Sequence, residues 1–195
     1  MRLFVGVEID APMAAAAGAL IRALRVRAQQ LAPQSRLAWI PEDRLHLTVR
    51  FIGQTDEAGA TAILQVMEPP LALAPFDLGV AGPGAFPPSG KPKVIWVGVN
   101  EGIDRLAQVE QEVTRRLAAA GIPPEDRPYS SHLTLARVRD AAGLQSRALF
   151  EGADGGRLGT TRVDTITLFE SRLSPHGPAY VPLLRTRLER VDLAR

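Results

Sequence analysis

A four-residue pattern of histidine, leucine, threonine and an aliphatic residue occurs twice in the chain. The copies, His46-Leu47-Thr48-Val49 and His132-Leu133-Thr134-Leu135, lie 86 positions apart and contain two of the three histidines in the sequence. Because side chains at positions i and i+2 of a strand share a face, each copy places an imidazole beside a hydroxyl. Two such strands lying side by side would supply two proton-transfer groups and two hydrogen-bonding groups, which suits in-line displacement at a phosphorus atom.

Two alternative interpretations of the repeat are an ordinary strand and a metal site. A single copy would be typical of a half-buried strand, but the use of two of three histidines in one pattern favours chemistry. A zinc site usually needs a third or fourth ligand, and neither copy has a cysteine, aspartate or glutamate nearby on the same face. We therefore expect no metal and no other cofactor.

The composition is that of an ordinary folded protein. The 195 residues are 46% hydrophobic and 23% charged, and the absence of cysteine excludes disulfides and thiol chemistry. The first residues predict a strand rather than a signal peptide, and arginines follow the alanine-rich stretch 14–20 too soon for a membrane span. We expect residues 1–195 to form a single bilobal domain, monomeric and cytoplasmic, with no membrane partner.

The cationic residues are almost all arginines. Lysine occurs only at positions 91 and 93, and the net charge is only +2. Proteins that wrap long nucleic acids usually carry a strong basic excess. The charge therefore favours a small or terminal phosphate as the ligand.

Hydrophobic periodicity and breaker residues predict an α+β fold with two similar halves. The predicted helices cover residues 10–31, 56–67, 101–120 and 141–150. The predicted strands cover residues 2–9, 45–52, 76–81, 94–99, 130–138, 161–173 and 179–188, and residues 37–40 form a short apolar segment. Residues 82–92 are predicted to form a long loop, which cannot be a P-loop because a strand rather than a helix follows it. His176 falls in a predicted hairpin turn and is assigned no chemistry.

Strict alternation along the motif strands places the neighbouring residues on definite faces. In the first strand, His46, Thr48 and Arg50 share one face, while Phe51 lies on the other. In the second strand, Arg137 lies on the face opposite His132. Arg137 can therefore reach a site shared with His132 only if the strand contains a bulge or ends there.

Several further segments accompany the doubled motif: 1–6 (MRLFVG), 50–53 (RFIG), 94–99 (VIWVGV), 135–137 (LAR) and 170–175 (ESRLSP). With them, nearly the whole chain resembles the two-histidine phosphoesterase superfamily. The closest resemblance is to the bacterial and archaeal RNA 2′,3′-cyclic phosphodiesterases, historically called 2′-5′ RNA ligases. One departure is Ser131, where proteins of this family often have proline.

The resemblance implies a fold, an activity and a set of site residues. The fold would have two pseudo-symmetric lobes, each an antiparallel sheet with outer helices, facing a central cleft. The substrates would be RNA 3′ ends or nucleotides bearing a 2′,3′-cyclic phosphate, opened without metal to a 2′-phosphomonoester. His46 would be the proton donor and His132 the proton acceptor, and Thr48, Thr134 and Arg137 would bind the phosphate.

Other functions remain open from the residues alone. ATP-independent 2′-5′ joining by the reverse reaction is one of them. An ATP-dependent ligase is not, because it needs a lysine nucleophile. The only lysines, Lys91 and Lys93, lie in the predicted loop or beside it, and neither is a credible nucleophile. A second alternative is a protein that binds RNA ends or phosphate without turnover. A third is a phosphodiesterase that acts on a small cyclic nucleotide phosphate.

Overall fold

Nine strands and four α-helices make up the part of the chain that the computed structural model describes, residues 1–152, 157–173 and 177–190. The helices are α1 (Ala11–Leu31), α2 (Glu57–Met67), α3 (Ile103–Ala119) and α4 (Ser146–Phe150). The strands are β1 (Arg2–Glu8), β2 (Arg36–Trp39), β3 (His46–Gln54), β4 (Phe76–Phe86), β5 (Val94–Glu101), β6 (His132–Asp140), β7 (Gly159–Val163), β8 (Thr165–Arg172) and β9 (Ala179–Arg187).

The strands form one antiparallel sheet made of two lobes. Along the sheet the order is β7-β4-β5-β6-β3-β1-β8-β9, and β2 pairs with β6 off this path. We call β1, β3, β8 and β9 the first lobe, and β2 and β4 to β7 the second lobe. The lobes join where β3 pairs with β6, so the two motif strands are neighbours at the centre of the sheet. The predicted α+β fold with two similar lobes is confirmed, and the sheets of the two lobes are continuous.

Each of the helices α1 and α3 packs against the lobe that does not contain the motif strand following it, and we call these two the exchanged helices. Helix α1, which precedes the first motif strand, packs against α4 and β7 of the second lobe. Helix α3, which precedes the second motif strand, packs against β3 of the first lobe and against α2. The sheet of each lobe is thus covered in part by a helix that precedes the other lobe's motif strand, and the buried side chains form one cluster running through both lobes.

Local signals predicted the starts of α1 and α2, whereas the helix predicted from residue 141 begins only at Ser146. The Asp10 carboxylate accepts a hydrogen bond from the Met13 backbone N–H at 2.9 Å, and Asp56 caps α2 in the same way through Gly59 N–H at 2.8 Å. Both are N-cap bonds that satisfy an orphan donor of the first helical turn. The predicted starts of α1 and α2 agree with these caps to within one residue.

Two sequence predictions about strands are wrong. Residues 82–86 were predicted to lie in a loop, but they extend β4, because Gly84 gives room for the Trp96 ring of β5 to lie across the strand. Residues 161–173 were predicted to form one strand, but the chain breaks at Asp164. It forms β7, which pairs with β4, and β8, which pairs with β1 in the other lobe.

The helices also bear on whether the protein spans a membrane. Within the described ranges, none of them is both long enough and apolar enough to cross a bilayer.

Candidate active site

The two motif strands meet at a pair of equivalent leucines. Leu47 of β3 lies opposite Leu133 of β6, and both side chains are fully buried in the core beneath the sheet. In an antiparallel pair this register places His46 opposite Thr134 and Thr48 opposite His132, all on the face away from the leucines. The side chains of the two motifs therefore form a quartet in which each histidine lies across from the other motif's threonine.

Each motif strand contains a β-bulge at the fourth residue of the motif. The partner of β1 jumps from Arg50 to Thr48 between Val5 and Gly6, which leaves Val49 as the extra residue. The partner of β5 jumps in the same way from Ala136 to Thr134, which leaves Leu135 as the extra residue in β6. A bulge reverses the alternation of the residues that follow it. As a result, the sixth residue of each strand returns to the face of the histidine and threonine.

The bulges give the two lobes different residues at equivalent positions. In β6 the sixth residue is Arg137, and in β3 it is Phe51, whose side chain is 51% exposed. The bulge that Arg137 needs in order to share the site with His132 is therefore present. The prediction that Phe51 lies on the face opposite His46 is wrong, because strict alternation ignores the bulge.

Arg50 does not lie on the site face, and that prediction is also wrong. The residue is buried behind β3, where its guanidinium donates to the Pro123 carbonyl at 2.5 Å and lies 3.2 Å from the Glu125 carboxylate. The same carboxylate accepts a hydrogen bond from the Phe51 backbone N–H at 3.2 Å. Tyr129 adds a bond from its hydroxyl to the Thr48 carbonyl at 3.3 Å. The segment that leads into the second motif thus holds the first motif strand from behind.

We expect Arg50→Ala to lower the free energy of unfolding by about 2 kcal/mol, since it removes a buried, charge-assisted contact and leaves the Pro123 carbonyl without that donor. Urea unfolding followed by circular dichroism measures this. Arg162→Ala is the matched control, because its ion pair with Asp77 at 3.1 Å is exposed on both sides. Such pairs contribute no more than about 1 kcal/mol. Equal losses in the two variants would contradict the structural role of Arg50.

The histidine rings are oriented by equivalent backbone contacts. His46 Nδ1 lies 2.9 Å from the Arg44 carbonyl, and His132 Nδ1 lies 2.7 Å from the Ser130 carbonyl. Each acceptor is two residues before its histidine. Because a carbonyl oxygen can only accept, Nδ1 carries a proton in each ring, and Nε2 is the nitrogen that can exchange a proton with a bound molecule.

The surroundings lower the pKa of both histidines. Burial is the largest cause for each, the backbone carbonyl acts in the opposite direction, and the positive charge of Arg137 lowers both pKa values further. Arg137 therefore acts electrostatically on both imidazoles. A bound anion would favour the imidazolium form and raise the pKa values again.

Aromatic rings flank the two histidines in a similar way. His46 contacts the edge of Tyr180 and the ring of Phe4, with centroid separations of 5.0 and 4.9 Å. His132 contacts Phe86 edge-on at 5.1 Å and lies 6.1 Å from the Trp96 ring. His46 is the more enclosed of the two, and His132 is the more accessible to solvent.

A cavity of about 570 Å³ lies over the motif strands. Among the predicted site residues, its lining includes His46, Thr48, Thr134 and Arg137. His132 lies beside this lining rather than in it, against Phe86 and Trp96. The volume is in the range that holds a nucleotide-sized ligand.

The charge of the cavity lining is of one sign. The ionisable side chains that line it, besides His46 and Tyr180, are Arg2, Arg44 and Arg137, and no aspartate or glutamate among the described residues lines it. Such a cavity attracts an anion, and guanidinium groups match phosphate oxygens in geometry. Metal binding has no comparable set of groups: no cluster of three or more histidine, cysteine, aspartate or glutamate side chains occurs in the described ranges.

Sequence reasoning missed several residues that line this cavity, among them Arg44, Tyr180 and Phe51. Arg44 and Tyr180 come from outside the motifs, and only the tertiary fold brings them there. Phe51 could have been identified by comparing the two motif strands, since their burial patterns match residue by residue over the first seven positions. His176, predicted to be exposed in a turn, lies outside the described residues.

Two histidines and two threonines on adjacent central strands, beside a cationic cavity, define a phosphoesterase of the two-histidine class. The 2′-5′ RNA ligase superfamily matches residues 12–174 of the chain. An RNA 2′,3′-cyclic phosphodiesterase of Aeropyrum pernix is 33% identical over 150 residues, which cover 76% of this chain and 84% of that protein. The chain therefore belongs to the 2′-5′ RNA ligase superfamily.

Solved structures show the same fold. TT0787 of Thermus thermophilus superimposes with a TM-score of 0.71 at 24% identity, covering 98% of this chain and all (100%) of that one. Escherichia coli LigT complexed with 3′-AMP superimposes with a TM-score of 0.68 at 21% identity, covering 97% of this chain and 98% of that one. At these identities the likeness concerns the architecture.

Proposed function

We propose that the protein is a hydrolase of phosphoric diesters that opens the 2′,3′-cyclic phosphate at RNA 3′ ends. The observation that supports this best is the central quartet, in which the Leu47–Leu133 register brings both His-x-Thr-x motifs to one face of the sheet. Membership of the superfamily and the activity named for the Aeropyrum relative support the same reaction. The E. coli neighbour, which carries 3′-AMP, supports a nucleotide phosphate as the ligand.

The proposed reaction needs two proton transfers at one phosphorus atom. Nε2 of His132 takes a proton from water as the water oxygen bonds to phosphorus. The bond between phosphorus and the 3′ oxygen breaks, and Nε2 of His46 donates a proton to that oxygen. The products are a 2′-phosphomonoester and a free 3′ hydroxyl. Thr48, Thr134 and Arg137 hold the non-bridging oxygens, where negative charge accumulates.

The surroundings of the two rings support this assignment of roles. His132 is more accessible to solvent, which suits a base that activates water. His46 lines the cavity among aromatic rings, where the charge of a bound substrate anion raises the lowered pKa of the ring and so favours the imidazolium form that an acid needs. Joining of RNA ends would use a 5′ hydroxyl in the place of water and the same two groups.

The domain assignment is part of the proposal. We propose that residues 1–195 act as one bilobal unit, which the exchanged helices α1 and α3 and the continuous core support. Neither motif makes a site by itself, because each threonine lies across from the other motif's histidine.

The direct test is incubation of the protein with a nucleoside 2′,3′-cyclic phosphate in excess EDTA. We expect turnover that chelation leaves unchanged, with the 2′-phosphomonoester as the product. Chromatography against authentic 2′ and 3′ monophosphates identifies the isomer. Tight binding without turnover would instead indicate an RNA-end binding protein, and turnover abolished by EDTA would contradict metal-independent acid–base catalysis.

A further inference from the structure

A second cavity of about 440 Å³ lies in the second lobe, outside the site described above. One wall is the loop between β4 and β5, with Ser89 and Lys91, and the other runs from the segment after β6 into the first turn of α4, with Ser146 and Arg147. We call this cavity the loop groove. Within the part of the chain that the structure describes, its two ionisable lining groups are cations, and the remaining polar lining groups are hydroxyls, the Gln145 amide and backbone.

The loop groove is connected to the active site through the strands that carry the site. One wall continues β4 after Phe86, whose ring lies 5.1 Å from the His132 ring. The other wall continues β6, the strand that holds Thr134 and Arg137. Both walls therefore leave the sheet at the end where Arg137 lies.

The base of the loop is held against β6. Lys93 N–H donates to the Phe86 carbonyl at 2.7 Å, and Val138 N–H donates to the Lys93 carbonyl at 2.8 Å. Val94 lies opposite Arg137 in the same register. These bonds place the base of the loop just beyond Arg137 along the strand, and for that reason we expect a chain that leaves the cleft past Arg137 to reach the groove.

The charges suit a polyanion. Lys91 and Lys93 are the only lysines of the chain, and both belong to this loop or its base. The acidic residue at the end of β6, Asp140, is engaged by the Arg36 guanidinium at 3.9 Å and by the Ala142 backbone N–H at 3.1 Å. Among the described residues that line it, the groove therefore presents Lys91 and Arg147 and no carboxylate.

We propose that the loop groove binds the phosphate backbone of the RNA strand upstream of the terminal cyclic phosphate. The proposal rests on the proposed function and deepens it, because it assigns a binding site outside the catalytic cleft to the strand that carries the terminal cyclic phosphate. Lys91 and Arg147 contact backbone phosphates, and the serine hydroxyls and Gln145 add hydrogen bonds that read no base.

The test compares a nucleoside 2′,3′-cyclic phosphate with oligoribonucleotides of increasing length, up to a hexanucleotide, that end in the same group. In the intact protein we expect kcat/KM to rise with length until the groove is filled. In Lys91→Ala/Arg147→Ala, kcat/KM should fall by roughly tenfold or more on the hexanucleotide and stay unchanged on the mononucleotide. On the hexanucleotide, the slope of log kcat/KM against log salt concentration should become less negative in the variant. The change should be about 0.7 for each backbone phosphate that the variant no longer neutralises.

Arg105→Ala is the control for the loss of a cation outside the groove. Arg105 is a partly exposed arginine on α3, in the helix layer of the first lobe, so its loss removes one positive charge away from the groove. We expect the Arg105 variant to have the same kcat/KM as the intact protein on both substrates. Equal losses on both substrates in the groove variant, or no loss on either, would overturn the proposal.

A binding measurement separates failure of this proposal from failure of the proposed function. Fluorescence anisotropy with a hexanucleotide that ends in a 3′-phosphate needs no turnover. If the intact protein hydrolyses neither substrate, the proposed function is wrong. The groove is still supported if the double variant binds this RNA roughly tenfold more weakly than the Arg105 control does, and it is rejected if the two bind equally.

Discussion

Replacing His46 or His132 with alanine is expected to lower kcat for hydrolysis of a nucleoside 2′,3′-cyclic phosphate by roughly 10²- to 10⁴-fold. Each ring performs one of the two proton transfers, and loss of either leaves the other without a partner. The kcat of the double variant should therefore be little lower than that of the less active single variant, because the effects of removing groups that act as a unit are not additive. Steady-state rates of the three variants measure this.

The pH dependence of the single variants assigns the roles. In the intact protein kcat/KM should be bell-shaped, with the acid limb reporting the base and the alkaline limb reporting the acid. His132→Ala should lose the acid limb, and His46→Ala should lose the alkaline limb. The opposite pattern would exchange the two roles.

Thr48→Val serves as the control for the histidine variants. A hydroxyl positions charge but transfers no proton, so its removal should cost less than the removal of either imidazole. Full activity in the double histidine variant would dispose of the mechanism. A large loss of folded structure in either single variant, seen by circular dichroism, would assign the lost rate to folding instead.

Replacing Arg137 with glutamine is expected to lower kcat/KM by about 10²-fold, the usual cost of removing one donor that stabilises transition-state charge. The same change should move the pH profile. Burial and the Arg137 cation hold both histidine pKa values below the ordinary 6.5, so the optimum of the intact protein should lie on the acid side of that value. Without the cation, both imidazolium forms are less disfavoured, both pKa values rise, and both limbs shift to higher pH.

The pH shift distinguishes an electrostatic role of Arg137 from a structural one. A residue that only supports the strand would lower the rate and leave both limbs in place. Arg105→Gln removes one positive charge from α3 and should change neither the rate nor the profile. If Arg137→Gln leaves kcat/KM intact, Arg137 does not bind the phosphate.

The site shows which residues can be assigned from a sequence and which cannot. The doubled motif correctly indicated two strands that each carry a histidine and a threonine on the same face, because that face follows from the period of a strand. Arg50 and Phe51 were assigned to the wrong faces. Their positions depend on the bulge at Val49, and the bulge is visible only in the hydrogen-bond register with β1.

The strand errors have the same origin. Gly82 and Gly84 are typical of a loop, yet in β4 the small residue at position 84 admits the Trp96 ring from the neighbouring strand. Residues 161–173 have the composition of one strand, yet Asp164 separates β7 and β8, which pair with strands far apart in the sequence. Both outcomes depend on a partner that the local sequence does not contain.

By itself the sequence determined the fold class, the helix starts with their aspartate caps, and the residue types available for proton transfer, because these follow from local periodicity and capping. The tertiary structure decided which strands meet at Leu47 and Leu133, where the bulges fall, and which arginine faces the cleft. Strand pairing and bulges are set by hydrogen bonds between segments distant in the chain. For that reason Arg137, and not Arg50, lies beside the two imidazoles.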